Sequence, residues 1–370
     1  MIEFTIQSRT PIWTGGIERT SYVLRLTSLM GSMRYFGEAI LRGLNLNVCI
    51  KEEENNLERC KLDDINKIKD QLCPACYFFG TNGWQRQFSI SIENNINNKF
   101  LMQDENFWMK KLLNPKKSKD IEAIYLDAAK ITFNELATYN YINSIDTEGF
   151  LHLLMLVIMK IGYFGAKSRT GFGIVDISGI DTNKILKFLD HLHELKALNP
   201  NLPHIKNTQL LHPPNINDFK VMYFEIKTEE VKNLIKNIES EISTVNLSNG
   251  TDLTKFPLGF YVKYYLKKSF IKKDQEQSIK NKYIYYEFLK IIKKKLGSLI
   301  YVSHFYSCKN NYYCFRVFIE IPKEKQKSLK IEEFILKKLE PAKCVASFDF
   351  DTILPSFSRK KPTTRGVNEP

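Results

Sequence analysis

The chain has 370 residues, 43% apolar and 12% aromatic, enough for a sizeable core and for more than one domain. No apolar stretch reaches membrane-spanning length and no charged-then-apolar leader opens the chain, so the expectation is a cytoplasmic protein with no membrane partner. Seven cysteines do not form the pattern of a secreted disulfide framework, and the net charge of +13 is concentrated: residues 1–250 carry 29 Lys+Arg against 29 Asp+Glu, residues 251–370 carry 25 against 12. That last third is expected to be a polyanion-binding surface.

In chain order, the residue pattern predicts a strand over 1–8, a helix over 29–44, a polar insert, a strand over 86–93 and a second insert. A strand over 121–133, a helix over 147–163 and a strand over 171–178 follow. Without its inserts this is β-α-β-β-α-β. A helix over 181–198 leads into a stretch with four prolines, which reads as a linker. The second half begins with a strand over 220–227, a helix over 229–245, an extended stretch over 256–266 and a helix over 284–296. It ends with paired strands over 299–306 and 312–321, a helix over 331–339 and a strand over 343–350. The expected class is α+β, as two tandem ferredoxin-like domains with inserts: 1–198 and 220–355, joined by a linker at 199–219 and followed by a basic tail at 356–370.

The helix GSMRYFGEAILRGL has a polar face ordered every fourth residue, as Arg34, Glu38 and Arg42, opposite a stripe of Met33, Phe36, Ile40, Leu41 and Leu44. An internal ion ladder accounts for the spacing, but it has two cations for one carboxylate. With Gly31 and Ser32 expected at the helix N-terminus, where bare amides favour an anion, Arg34 becomes a candidate phosphate contact. Arg42 is the weaker candidate, since it can pack against a sheet edge.

Behind the apolar helix over 147–163 comes GAKSRTGFG, residues 165–173, with three glycines, two cations and two hydroxyls. Gly165, Gly171 and Gly173 allow positive φ, Lys167 and Arg169 supply charge, and Ser168 and Thr170 can donate to phosphate oxygens. The competing reading is a helix-to-strand turn that is merely basic. In the basic third, lysines over 263–273 and 290–295 and the SRKKPTTR tail are interleaved with Tyr261, Tyr264, Tyr265, Tyr283, Tyr285 and Tyr286. That mixture suits single-stranded nucleic acid, although any one of these tyrosines is more simply a half-buried core residue.

Cys73 and Cys76 form a CxxC. A tetrahedral metal site needs four ligands, and only Cys49 and Cys60 lie nearby, with no second CxxC or paired histidines at finger-like spacing. Two small buried cysteines in a short apolar turn are therefore expected, and no metal or cofactor is assigned. The six histidines are scattered without a catalytic order; His152 precedes the glycine-rich loop by thirteen residues and can lie near it. Asp349 and Asp351 share a strand face but lack a third ligand. No catalytic residue is assigned.

Four ordered segments, TPIWTGG, TSLMGSMRYFGEAILRG, CPACYFFGTNGWQRQF and GAKSRTGFG, resemble the RAMP superfamily of CRISPR proteins, and among them a two-domain subunit of the type III-B Cmr effector complex. The resemblance covers residues 10–175 well; beyond about residue 220 only FPLGF and the fold pattern continue it. It implies a non-catalytic RNA-binding subunit with guide RNA, target RNA and the other Cmr subunits as partners, sequence being read by guide–target pairing. It places RNA contacts at Gly31, Ser32, Arg34, Arg42, Trp84, Arg86, Lys167, Ser168, Arg169, Thr170, Gly171 and Gly173. Trp13 can stack on a base or anchor the core, and the core is preferred. The competing class is a metal-independent endoribonuclease that uses His152 and Lys167.

Overall fold

The computed structural model describes residues 1–14, 24–49, 59–93, 96–101, 122–136, 145–165, 171–199, 214–241, 262, 265–266, 300–328 and 330–354. Its first part runs β1 (Ile2–Ser8), α1 (Leu26–Gly43), α2 (Ile68–Gln71), α3 (Pro74–Phe79), β2 (Phe88–Glu93), β3 (Ile96–Leu101) and β4 (Glu122–Leu126). It continues with β5 (Ala129–Glu135), α4 (Thr147–Lys160), β6 (Val175–Ser178), α5 (Thr182–Asp190) and α6 (Leu192–Lys196). The second part runs β7 (Phe219–Lys227), α7 (Val231–Glu241), β8 (Ile300–Val302), β9 (Tyr306–Lys309), β10 (Tyr312–Glu320), α8 (Lys323–Ser328), α9 (Ile331–Lys338), β11 (Lys343–Asp349) and α10 (Phe350–Ile353). The class is α+β, with antiparallel pairing throughout the described ladders.

β1 alternates strictly, with Ile2, Phe4 and Ile6 inward and Glu3, Thr5 and Gln7 exposed, so one face of its sheet is committed to the core. The first sheet has the order β2-β5-β1-β6 and the second β11-β7-β10-β8, with β9 also on β10. Counting each sheet's own strands along the chain, the first runs second, third, first, fourth, the order a split β-α-β unit produces. α4 is buried almost all round, from Phe150 to Ile158, because it is covered on several sides. α5 packs along it, and the second sheet reaches its C-terminal end, where Tyr223 Oη donates to the Lys160 carbonyl at 2.9 Å.

Several predicted elements are divided. The strand expected over 121–133 bends at Asp127 and Ala128; β4 turns away to pair with β3 in a separate two-stranded sheet, while β5 joins β1. The helix expected over 181–198 breaks at His191. The strand expected over 299–306 is interrupted after Val302: Ser303 N–H still donates to the Arg316 carbonyl of β10, but His304 N–H turns to the Gly171 carbonyl, which draws the chain off the ladder. One disulfide, Cys308–Cys314, crosses between β9 and β10. The extended stretch over 256–266 is described only at Val262, Tyr265 and Leu266, which are helical. The helix over 284–296, the lysine runs, the tail and the other five tyrosines of the basic third lie outside the described residues. Tyr265 is 5% exposed and belongs to the second core. No helix among the described residues is long and apolar enough to cross a membrane.

The two sheets meet around Arg316, which is 3% exposed. Its Nη1 donates to the Met159 carbonyl in the last turn of α4 at 2.8 Å, Nη2 lies 3.8 Å from Asp176, and the guanidinium sits 4.4 Å above the Tyr223 ring. A helix C-terminus is a favourable place for a cation, and a planar guanidinium can stack and donate at once. Arg316→Ala is expected to lower stability by about 2–4 kcal/mol, from one charged hydrogen bond and one buried cation–π contact. Urea unfolding measures this; a loss below about 0.5 kcal/mol, the range of an ordinary surface substitution, would show that other contacts hold the halves together.

Candidate nucleic-acid interface

The glycine-rich loop is fixed at both ends by backbone pairing. Phe164 N–H donates to the Gly173 carbonyl at 2.8 Å and Gly173 N–H to the Pro11 carbonyl at 2.8 Å. Gly173 has φ +89, and a Cβ there would lie 2.0 Å from the Phe164 carbonyl oxygen. Gly165 has φ +85, and a Cβ would lie 2.6 Å from the Trp13 carbonyl oxygen. Both positions require glycine for conformation and for close approach together. Lys167, Ser168, Arg169 and Thr170 lie outside the described residues. Beside the loop's first residue is an open depression of about 330 Å³, lined by Ser28, Gly31, Ser32, Tyr35, Tyr163 and Gly165.

α1 starts at Leu26, so Gly31 and Ser32 occupy its second turn. The expectation of bare amides at Gly31 and Ser32 is corrected: the helix N-terminus lies earlier, at Leu26 and Thr27, both exposed. Gly31 is exposed with open space around it, on the rim of the depression. Ser32 is buried, and its Oγ accepts the Gly165 N–H at 3.0 Å, which ties α1 to the loop base.

The two arginines of α1 are engaged internally. Arg34 Nε pairs with Glu38 at 2.9 Å, Nη1 donates to the Gly80 carbonyl at 2.9 Å and Nη2 to Cys76 Sγ at 3.5 Å. Arg42 donates to the carbonyls of Pro214 and Cys49 at 3.0 and 3.1 Å and approaches Glu38 at 3.5 Å; burial lowers its pKa. The ion ladder weighed for this face is therefore present, and it is spent on backbone carbonyls and a sulfur rather than turned outward. Trp84 is likewise in the core, 6% exposed, stacked on Tyr77 and donating Nε1–H to the Tyr77 carbonyl at 2.9 Å. Arg86, just beyond it, is half-buried. Trp13 meets Phe172 edge to face at 5.8 Å, in the second core, as the core reading expects.

The histidine beside the loop is His304, not His152. His152 faces β1, 5.0 Å from the Phe4 ring centre; its Nδ1 accepts the Asp181 N–H at 3.0 Å, and burial lowers its pKa. His304 pairs through its backbone with Gly171 and packs its ring on Phe172 at 4.5 Å. Sequence distance hides it, because Gly171 and His304 are more than 130 residues apart. Asp349 caps α10 through the Thr352 N–H, and Asp351 pairs with Lys323, so neither is free to act as a ligand with the other.

Four sulfurs converge beneath the arginine face of α1. Cys49, Cys60, Cys73 and Cys76 place their Sγ atoms within 4.8 Å of one another, and Cys49 Sγ is 3.5 Å from Cys76 Sγ and 3.6 Å from Cys73 Sγ. Hydrogen bonds from the Cys49, Cys60 and Cys73 thiols, with Arg34 alongside, hold the Cys76 thiol below its ordinary pKa. The segment expected as an apolar turn is the helix α3, with Pro74 at its first position and Cys73 as its cap. The pair of cysteines read from CxxC is thus half of a tetrad.

The family model of the RAMP superfamily matches residues 5–176. No curated protein matches the chain in sequence. Among solved structures, a chain of the type III-B Cmr-beta complex bound to cognate target RNA aligns over 91% of this chain and 99% of its own, at 12% identity and a TM-score of 0.43. A chain of the same complex with target RNA and AMPPnP, in the presence of ssDNA, aligns over 91% and 98%, at 13% identity and a TM-score of 0.38.

Complete burial pushes the pKa of His304 from 6.5 down to about 3, and among the described residues neither ring nitrogen has a hydrogen-bond partner. Between those values the unfolded chain binds a proton that the folded one refuses. The contribution is therefore whole above pH 6.5 and is lost as pH falls toward 3. Between about pH 7 and about pH 4 the loss is expected to be about 3 kcal/mol, and His304→Phe should remove that share of the acid sensitivity. Urea unfolding of both proteins over a pH series measures it; parallel pH profiles would show that the His304 ring takes up its proton as readily in the folded state as in the unfolded one.

Proposed function

We propose, from the premise that residues 5–176 belong to the RAMP superfamily, that this chain is an RNA-binding subunit of a type III-B CRISPR effector complex, without a catalytic site of its own. It contacts guide and target RNA through backbone and shape, and sequence choice rests on guide–target pairing. The observation that carries the reading is the glycine-bracketed loop. Its ends at Gly165 and Gly173 are held by backbone contacts that exclude any side chain, next to an open depression, and the five residues after Gly165 include Lys167 and Arg169. A rigidly based loop with two cations and two hydroxyls is suited to a phosphate backbone.

Within this reading Gly31 and Arg86 remain available for contact, while Ser32 positions the loop base and Arg34, Arg42 and Trp84 hold α1 and α3 in place. Non-catalytic action is favoured over histidine-dependent cleavage by the burial of both His152 and His304. A general base has to reach the proton it removes.

Lys167→Ala combined with Arg169→Ala is expected to weaken binding of single-stranded RNA equally across sequences. It should also flatten the log–log salt dependence by roughly 0.7 for each phosphate that is no longer neutralised. Fluorescence anisotropy at several salt concentrations, on the chain alone and assembled with the other subunits, measures both effects. An unchanged slope in both settings removes the loop from the RNA site. The same samples on a denaturing gel should show intact RNA; cleavage without added metal would establish the endoribonuclease instead.

A further inference from the structure

We propose that Cys49, Cys60, Cys73 and Cys76 are the four ligands of one structural zinc ion. Four ligands at the zinc–thiolate distance of about 2.3 Å on a tetrahedron lie about 3.8 Å apart. The separations of 3.5 and 3.6 Å found here, with all four sulfurs within 4.8 Å, surround a point that a single ion fits. Sulfurs this close leave no room for a multi-iron cluster between them, and an all-cysteine, closed, mostly buried tetrahedron is the donor set of a structural zinc site.

Backbone and guanidinium donors already point at the sulfurs. Cys73 Sγ faces the Cys76 N–H at 3.5 Å, Cys60 Sγ accepts the Cys73 N–H at 3.4 Å, and Arg34 Nη2 points at Cys76 Sγ at 3.5 Å. Four thiolates around one divalent ion leave two negative charges. The excess cation of the α1 ladder answers them: Arg34 reaches a ligand sulfur directly, Arg42 holds the carbonyl of the ligand Cys49, and Glu38 links the two. Outer groups of this kind orient ligands and tune the metal. On binding, the thiol protons leave to solvent and the ion closes two chain segments, Cys49 to Cys60 and Cys60 to Cys73, onto the N-terminus of α3. The site is independent of the RNA reading and fixes the part of the chain that carries Trp84 and Arg86.

The test uses the full chain, purified reduced. Elemental analysis is expected to find one zinc per chain. Cobalt(II) loaded in its place is expected to show the strong visible bands and the thiolate charge transfer of a tetrahedral sulfur site. Cys60→Ser should lose tight binding, Cys60→His should retain the ion with a shifted cobalt spectrum, and Arg34→Gln should weaken zinc about tenfold or more. Should Cys60→Ser fail to fold, alkylation of the wild type mapped by mass spectrometry decides. All four cysteines should be protected by zinc and exposed by a chelator, while Cys344 reacts alike in both. No zinc above buffer background with no tetrahedral cobalt spectrum, or unchanged zinc content in Cys60→Ser, or protection that does not depend on the ion, would overturn the assignment.

Discussion

The short run of backbone from Gly171 to Val175 belongs to both halves of the molecule, and much else follows from that sharing. Gly171 offers its carbonyl to His304 of the second half, and Phe172 packs there on His304 and Trp13. Gly173 closes onto Phe164 and Pro11, Ile174 accepts from Arg9, and Val175 begins β6 at the edge of the first sheet. The run thus contributes side chains to two different cores. A side chain at Gly173 would collide with the Phe164 carbonyl, so the same residue that permits the sharing also fixes the base of the loop. The basic loop is mounted where the two sheets join.

The joint is reinforced on its other side by polar groups made to serve both halves. Arg316 reaches from β10 to the end of α4, Tyr223 does the same from β7, and Tyr35 of α1 meets Glu320 at 2.6 Å. Each contact is buried or half-buried and directional, which fixes orientation more strictly than apolar packing alone. Tyr163, Tyr301 and Phe318 supply the apolar part, with the Tyr301 and Phe318 rings stacked at 4.8 Å.

The polar face of α1 shows how a surface-like pattern becomes interior. Arg34, Glu38 and Arg42 would be a solvated ladder on an isolated helix. Here α3 and the chain after α1 cover it, and the side chains are 17%, 17% and 10% exposed. The cations are kept where carbonyls and sulfurs need donors. This is why, of four residues that family resemblance assigns to RNA, Ser32 is found holding the loop base, and Arg34, Arg42 and Trp84 are found holding α1, α3 and the chain packed on them.

Local pattern was enough to read most elements of this protein. The alternation in β1, the apolar periodicity of α4 and the strand–helix–strand order at each end of the chain follow from short-range stereochemistry, and they point to the α+β class and the place of the glycine-rich loop. What needed tertiary structure were relations between distant segments. The bend at Asp127 arises because β4 finds β3 as a partner, and the interruption after Val302 arises because His304 is drawn to Gly171. The cysteine tetrad is the clearest case: its spacing of ten, twelve and two intervening residues matches no local motif, since its first two ligands come from irregular chain brought together by the packing of α1 against α3. Periodicity is written along the chain, whereas convergence of side chains is decided by which faces bury against one another.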